Sequence, residues 1–213
     1  MTSIRHNAGD AITDVTPATK AAATYPCAAV QDDPILRAAY DVLMDVGPRQ
    51  ATLTEVARRA GVSRMTLYRR YDHLRTLVNE VLTAELRTVL AAAANTPSAG
   101  SDRERIAVMA AAATRGIADH PLMLRIVDLD PEALLPLIVT RRGSTQRAAE
   151  DTFAALVAAA DDGSVQVANP QLAARTIVTA CSAFVYAEAQ ALSAGEDDSR
   201  WQEVTRLVKG YLA

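Results

Sequence analysis

Arg64-Met-Thr-Leu-Tyr-Arg-Arg70 places, within two helical turns, side chains that hydrogen-bond phosphates and base edges. Set Leu67 inward, with Tyr71 one turn later. At about 100° per residue, Met65 and Arg69 then point furthest outward. Thr66 and Tyr68 flank them, and Arg64 stands at the N-terminal tip. An arginine can bond guanine bidentately in the major groove, and Thr, Tyr and Arg hold phosphates. Thr52 upstream, and Arg70, His73 and Arg75 at the following corner, extend the candidate set. His73 is read as a helix cap or a phosphate donor.

The flanking sequence supplies the elements that would position these groups. Thr52 is a natural N-cap, and Glu55 three residues on matches a capping box. Leu53, Val56 and Ala57 form an apolar stripe at helical spacing. Gly61 can take the positive φ that ends a helix, Val62 can plug the corner, and Ser63 caps the next helix. Two short helices joined by such a turn form a helix-turn-helix, whose second helix enters the major groove. Upstream, Asp33 caps a further helix with Pro34 in its first turn. Leu36, Ala39, Tyr40 and Leu43 recur at helical spacing, and Gly47-Pro48 stops it. That helix backs the pair with a small three-helix core.

Charge is distributed to match. The chain has a net charge of −3. Residues 49–75 hold seven arginines (49, 58, 59, 64, 69, 70 and 75) against Glu55 and Asp72, a local +5, so the remainder sums to −8. A basic patch on an acidic body is the electrostatic footprint of a nucleic-acid binder.

Residues 35–77 resemble the DNA-binding domain of the TetR family of bacterial transcriptional regulators. The resemblance lies in Ile35-Leu36, Ala38-Ala39, Leu43 and Gly47, in Thr52 through Ser63, and in Thr66-Leu67-Tyr68 with Tyr71. One departure stands out. After the aromatic, the family usually has a Ser or Asp capping the fourth helix and then a phosphate-binding Lys. Here those positions are His73 and Leu74, and Arg75 is the nearest cation. The resemblance implies a dimer on inverted-repeat double-stranded DNA, a repressor released by a small-molecule effector, and a connector helix that transmits the effector's binding to the recognition helices.

The rest of the chain reads as all-α. Residues 1–32 mix Thr, Ala, Asp, Asn and Pro without periodicity and are expected to be a disordered arm. A minor-groove role for Arg5, His6 and Lys20 is opposed by Asp10, Asp14, Asp32 and Asp33. The arm shows neither a membrane span nor a signal peptide, which points to a cytoplasmic protein. Leu74 to Ala94 predicts a long helix, ending at the loop from Asn95 to Gly100. Ser101 and Glu104 open the next helix, and Asp119-His-Pro121 breaks it before a short apolar helix. A segment starts at Pro131, Ser144 caps a helix to Ala160, and two C-terminal helices follow Asn169-Pro170. The expected organisation is an arm over 1–32, a helix-turn-helix domain over 33–78, and a helical effector-binding and dimerisation domain over 79–213.

In that body, Met109, Met123, Leu124, Ile126, Phe153 and Leu156 are candidate linings for a medium-sized, largely apolar molecule. Two-fold dimerisation is expected through Pro170–Leu192 and Arg200–Leu212. Leu172, Ile177, Val178, Phe184 and Val185 put apolar groups on more than one side of the first of these helices. Catalytic chemistry is hard to find. Cys27 and Cys181 lack metal-ligand spacing, and nothing in the sequence brings Cys181 to His120. Asp128, Asp130 and Glu132 read as a helix-joining loop rather than a metal site. No Walker loop, dinucleotide glycines or zinc pattern occurs, so no metal, cofactor or enzymatic activity is expected. The alternative to an effector-released repressor is a helix-turn-helix protein with no small-molecule ligand, controlled by a protein partner or by its abundance.

Overall fold

The computed structural model describes residues 25–130, 132, 143–191 and 199–213, and among these the regular structure is helical throughout. The helices are α1 (Ala28–Asp32), α2 (Pro34–Gln50), α3 (Leu53–Arg59), α4 (Arg64–Arg70), α5 (Leu74–Ala94), α6 (Asp102–Ala118), α7 (Pro121–Leu129), α8 (Ser144–Ala159), α9 (Pro170–Ala191) and α10 (Ser199–Tyr211). The segment expected to start at Pro131 and the loop after residue 192 lie outside the described residues.

Caps set most of the boundaries. The Asp33 carboxylate accepts from the Ile35 and Leu36 N–H groups at 2.8 and 3.2 Å, starting α2. Gly47 breaks α2 with φ 73° before Pro48. Thr52 Oγ1 accepts from Glu55 N–H at 3.2 Å. The reciprocal half of the predicted capping box is not made, because the Glu55 carboxylate is taken by Arg58 and Arg59. Gly61 adopts φ 67°, and Ser63 Oγ accepts from Thr66 N–H at 3.0 Å to open α4. At α8 the N-cap is Gly143, one residue before the expected Ser144. Ser144 and Thr145 instead lie within hydrogen-bond distance of Thr83 Oγ1 on α5, at 3.2 and 3.1 Å.

Two apolar cores result. The first gathers α2, α3 and α4 through Leu36, Ala39, Leu43, Val56, Leu67 and Tyr71, and adds Leu77 and Val81 of α5. It also takes Leu122 and Ile126 of α7, so a helix from the body's half of the sequence packs into the head. The second core runs from Leu86 and Leu90 of α5 to Ala110 of α6, Phe153 of α8, Ile177 of α9 and Trp201, Val204 and Val208 of α10. The expected boundary at residue 78 thus falls inside an unbroken helix that serves both cores. Arg125 ties α7 to the end of α2, donating from Nε to the Met44 carbonyl at 2.7 Å, and bonds Asp128 at 2.7 Å.

One expectation is corrected. Disorder, expected over residues 1–32, does not hold for the last eight of them, because Tyr25 to Asp32 are packed and partly helical. Cys27 and Val30 are buried in the first core, and the Cys27 N–H donates to Glu85 Oε1 at 2.9 Å. Two small apolar side chains three residues apart help dock this segment, a pattern too short to register as periodic. Arg5, His6 and Lys20 lie outside the described residues.

Two stability predictions follow from these joints. Gly47 has φ 73°, and a Cβ there would stand 3.1 Å from Leu129 Cβ. Gly47→Ala is expected to lower the unfolding free energy by about 1–2 kcal/mol in urea denaturation, since an L-residue is strained in the left-handed region. Burial pushes the Asp33 carboxyl up, but hydrogen bonds from Arg70 and from the Leu36 and Ile35 N–H groups outweigh it and hold the group below its ordinary value. A carboxyl depressed in the folded state contributes stability that is present above the unfolded pKa and lost as pH falls through the folded one. Asp33→Asn should therefore flatten the acid limb of the stability profile below about pH 4, where the carboxyl of the unfolded chain begins to take up a proton that the folded one resists.

Candidate nucleic-acid interface and an internal cavity

Helix α4 stands at the surface with Leu67 as its one fully buried anchor. Met65 is 78% exposed and Tyr68 47% exposed, and Arg64, Thr66 and Arg69 are also exposed. No ion pair to Arg64, Arg69 or Arg75 is found among the described residues. The neighbouring arginines behave differently. Arg58 and Arg59 both bond Glu55, holding its carboxyl well below the ordinary range, at about 2. Arg59 also reaches Asp45 at 2.5 Å.

Arg70, expected on the DNA face, is exposed but ion-paired within the protein. Its guanidinium pairs with Asp33 at 2.7 Å and Glu80 at 3.4 Å, and lies 5.0 Å from the centre of the Tyr71 ring. The Tyr71 hydroxyl donates to Glu80 at 2.9 Å. Burial, then the Glu80 contact, pushes that phenol's pKa up. Buried Tyr71 and ion-paired Arg70, whose side chain is still 42% exposed, therefore brace the angle between α4 and α5. His73 occupies the N-cap position of α5 but makes no side-chain cap bond, so of its two expected roles the cap is not realised. It is exposed beside Arg75 in the first turn of the same helix, and Thr52 is exposed at the start of α3. The arrangement presents unpaired donors around a protruding α4, as phosphate and base-edge contacts require.

The second core borders a partly open cavity of about 140 Å³. Its wall is mostly apolar, from Leu86, Val89 and Leu90 of α5, Ala110 and Ala113 of α6, Phe153 of α8 and Val178 and Val185 of α9. Of the six residues predicted as linings, Met123 and Phe153 reach it. Met109 is buried among α6's neighbours in the second core, and Ile126 belongs to the first. Leu124 and Leu156 are half-buried away from the wall. A helical residue faces one direction only, and α7's apolar side divides between the head and the cavity.

Sequence reasoning missed the buried pair on that wall. Glu85 and His120 meet with Oε2 and Nε2 3.1 Å apart, both side chains almost completely buried. His120 Nδ1 accepts from Leu122 N–H at 3.1 Å, capping α7, and the Tyr25 ring meets the imidazole edge-on at 4.2 Å between centres. The available signal was positional. Glu85 stands four residues from both Val81 and Val89, on the apolar stripe of α5, where a charge has no bland reason to sit.

Cys181 and His120 share this cavity wall, which the sequence did not foretell. Burial pushes the thiol's pKa up, against nucleophilic use, and the imidazole is engaged with Glu85 and Leu122. Asp128 is paired with Arg125, and no cluster among the described residues has the make-up of a metal site. No helix among the described residues is long and apolar enough to cross a membrane.

Comparison with known proteins places this geometry. Residues 35–81 match the model of the bacterial regulatory proteins of the tetR family. An HTH-type transcriptional regulator of Mycobacterium bovis is 30% identical over 179 residues, spanning 84% of this chain and 92% of its own. A Mycobacterium tuberculosis regulator of the same description matches with the same identity and coverage. Among solved structures, the R. erythropolis TetR-family repressor QsdR superposes with a TM-score of 0.65 at 20% identity, over 85% of this chain and 95% of that one. The repressor AlkX from Dietzia, implicated in biodegradation of n-alkanes, gives 0.57 at 19% identity, over 84% and 95%. With its helix-turn-helix head, all-helical body and regulator relatives, the chain belongs to the TetR family of bacterial transcriptional regulators.

Proposed function

We propose that this regulator is a repressor that binds a palindromic operator as a homodimer and leaves it when a small, largely apolar effector occupies the body cavity. The observation that carries the DNA assignment is the contrast within one arginine cluster. Arg58, Arg59 and Arg70 are spent on Glu55, Asp45, Asp33 and Glu80, while Arg64 and Arg69 extend from α4 without an ion-pair partner among the described residues. Arg64, Met65, Thr66, Tyr68 and Arg69 enter the major groove. Thr52, His73 and Arg75 hold phosphates around it, with Arg75 in place of the family's lysine. The repressor roles of QsdR and AlkX support the direction of control.

Dimerisation uses α9 and α10. Leu172 on α9 and Leu207 and Tyr211 on α10 are large apolar side chains exposed on the single chain, which a self-complementary contact would cover. Release works through α5, whose near turns hold Tyr71 and Arg70 through Glu80 and whose far turns line the cavity. A displacement at Leu86 or Leu90 would tilt α4 and change the spacing of the two recognition helices.

Selection from random DNA should return an inverted repeat, and an unstructured pool would refute the operator model. Arg64→Ala is expected to cost about 1–3 kcal/mol of operator binding and to relax base preference at one position per half-site. Arg75→Ala should weaken binding to all sequences alike and reduce the salt slope. Leu172→Glu with Leu207→Glu should turn a dimer into a monomer by light scattering with the helical circular dichroism unchanged. An effector that lowers operator affinity tenfold must itself bind tenfold more weakly in the presence of operator, about 1.4 kcal/mol of coupling. Equal effector affinity with and without operator would instead favour the ligand-independent regulator.

A further inference from the structure

The cavity's polar groups divide unequally between donors and acceptors. His120 Nδ1 accepts from the Leu122 N–H, so the single proton of the neutral ring lies on Nε2 and is donated to Glu85 Oε2. Glu85 Oε1 accepts from the Cys27 N–H at 2.9 Å. Both oxygens of Glu85 therefore act as acceptors, the pattern of a carboxylate, and each retains a second lone pair. Elsewhere on the wall the hydroxyl protons are already used, and the other neutral donor groups are the Gln146 amide and the Cys181 thiol. The Thr114 hydroxyl donates to the Ala110 carbonyl and the Ser182 hydroxyl to the Val178 carbonyl, both at 2.7 Å. The Thr83 hydroxyl gives its proton to the Asn79 carbonyl at 2.6 Å, so Thr145 must donate to Thr83 in their 3.1 Å contact. No lysine or arginine lines the cavity among the described residues.

We propose that Glu85 is the specificity-determining residue of this cavity, selecting small apolar molecules that carry one hydrogen-bond donor, a hydroxyl or a protonated amine, and turning away carboxylates. The proposal rests on reading the cavity as the effector site. Its physical basis is that an anion brought beside a buried carboxylate meets like charge in a poorly screened environment and finds no cation and no unspent hydroxyl or imidazole proton. A hydroxyl or ammonium instead gains a charge-assisted bond to a lone pair already held in place by His120 and Cys27. The apolar wall accommodates the remainder of the molecule. A volume of about 140 Å³ is close to that of an engineered apolar cavity of about 150 Å³ that takes benzene.

The position of Glu85 makes the same residue a reporter to the head. It holds the packed N-terminal segment through Cys27 and the N-cap of α7 through His120, and α7 reaches the first core through Leu122 and Ile126. A donor that draws the carboxylate toward the cavity loosens both attachments at once.

The test is a matched series of one ring size on the full-length protein: toluene, benzyl alcohol, benzylamine and benzoate, titrated by calorimetry. The expected order puts benzylamine and benzyl alcohol first, at least about tenfold tighter than benzoate, with toluene between. In Glu85→Gln the benzylamine preference should vanish and benzoate should gain relative to the other three, a reversal that a general loss of stability would not produce. The wild-type ranking decides the matter by itself if that variant folds poorly. Equal affinities for all four ligands, or benzoate binding most tightly, would overturn the proposal and leave the cavity free to be an effector site of another kind. Binding by none would overturn both. If the donors bind in the expected order but fluorescence anisotropy shows no release of operator DNA, the specificity stands and the effector reading fails.

Discussion

Helix α5 carries apolar side chains into two separate cores, and its register ties the head to the body. Its 21 residues span about 30 Å at 1.5 Å per residue. Leu77 and Val81 close the core beneath the helix-turn-helix, and Leu86, Val89 and Leu90 line or flank the cavity. No loop intervenes, so rotation of one half turns the other. Well-packed interiors do not deform continuously, which favours two discrete settings of such a helix over graded bending.

The head end of α5 is held by polar contacts of a different character. Tyr71 and Arg70 converge on Glu80, and Arg70 reaches back to the Asp33 cap of α2. Three helices thus share one small network at the base of α4. Half-exposed pairs such as these contribute little stability individually, but they restrict the angle at which α4 leaves the head. That restriction is what a recognition helix needs to meet a groove of set width.

Between the two cores lies the Glu85–His120 pair, an ionisable contact in an apolar interior. Burying a charge is costly unless each of its hydrogen-bonding positions is met. Here the backbone of Cys27 and the ring of His120 meet one position on each oxygen, and His120 is itself oriented by Leu122. The ordering of Tyr25 to Asp32 follows from the same need, since the Cys27 N–H supplies one of the two bonds.

Much of the head was legible locally. Thr52 and Ser63 act through neighbours three residues away and Gly61 through its own backbone, so their roles follow from spacing and residue type. The boundaries of α5 and the all-helical class were legible for the same reason, as caps and periodicity are short-range properties. What the tertiary structure alone decided depends on residues distant in sequence. Arg70 looks like Arg69 in the sequence, yet Asp33 and Glu80 claim it. His73 sits where a cap belongs and caps nothing. Ile126 and Met123, three residues apart on one short helix, both pack on the first core, yet only Met123 reaches the cavity. Glu85 and His120, 35 positions apart, become a pair only because α6 packs on α5 and brings the corner between α6 and α7 to Glu85. A cavity is the space that packing leaves unfilled, and packing is set by every helix at once, so no local pattern in the chain encodes it.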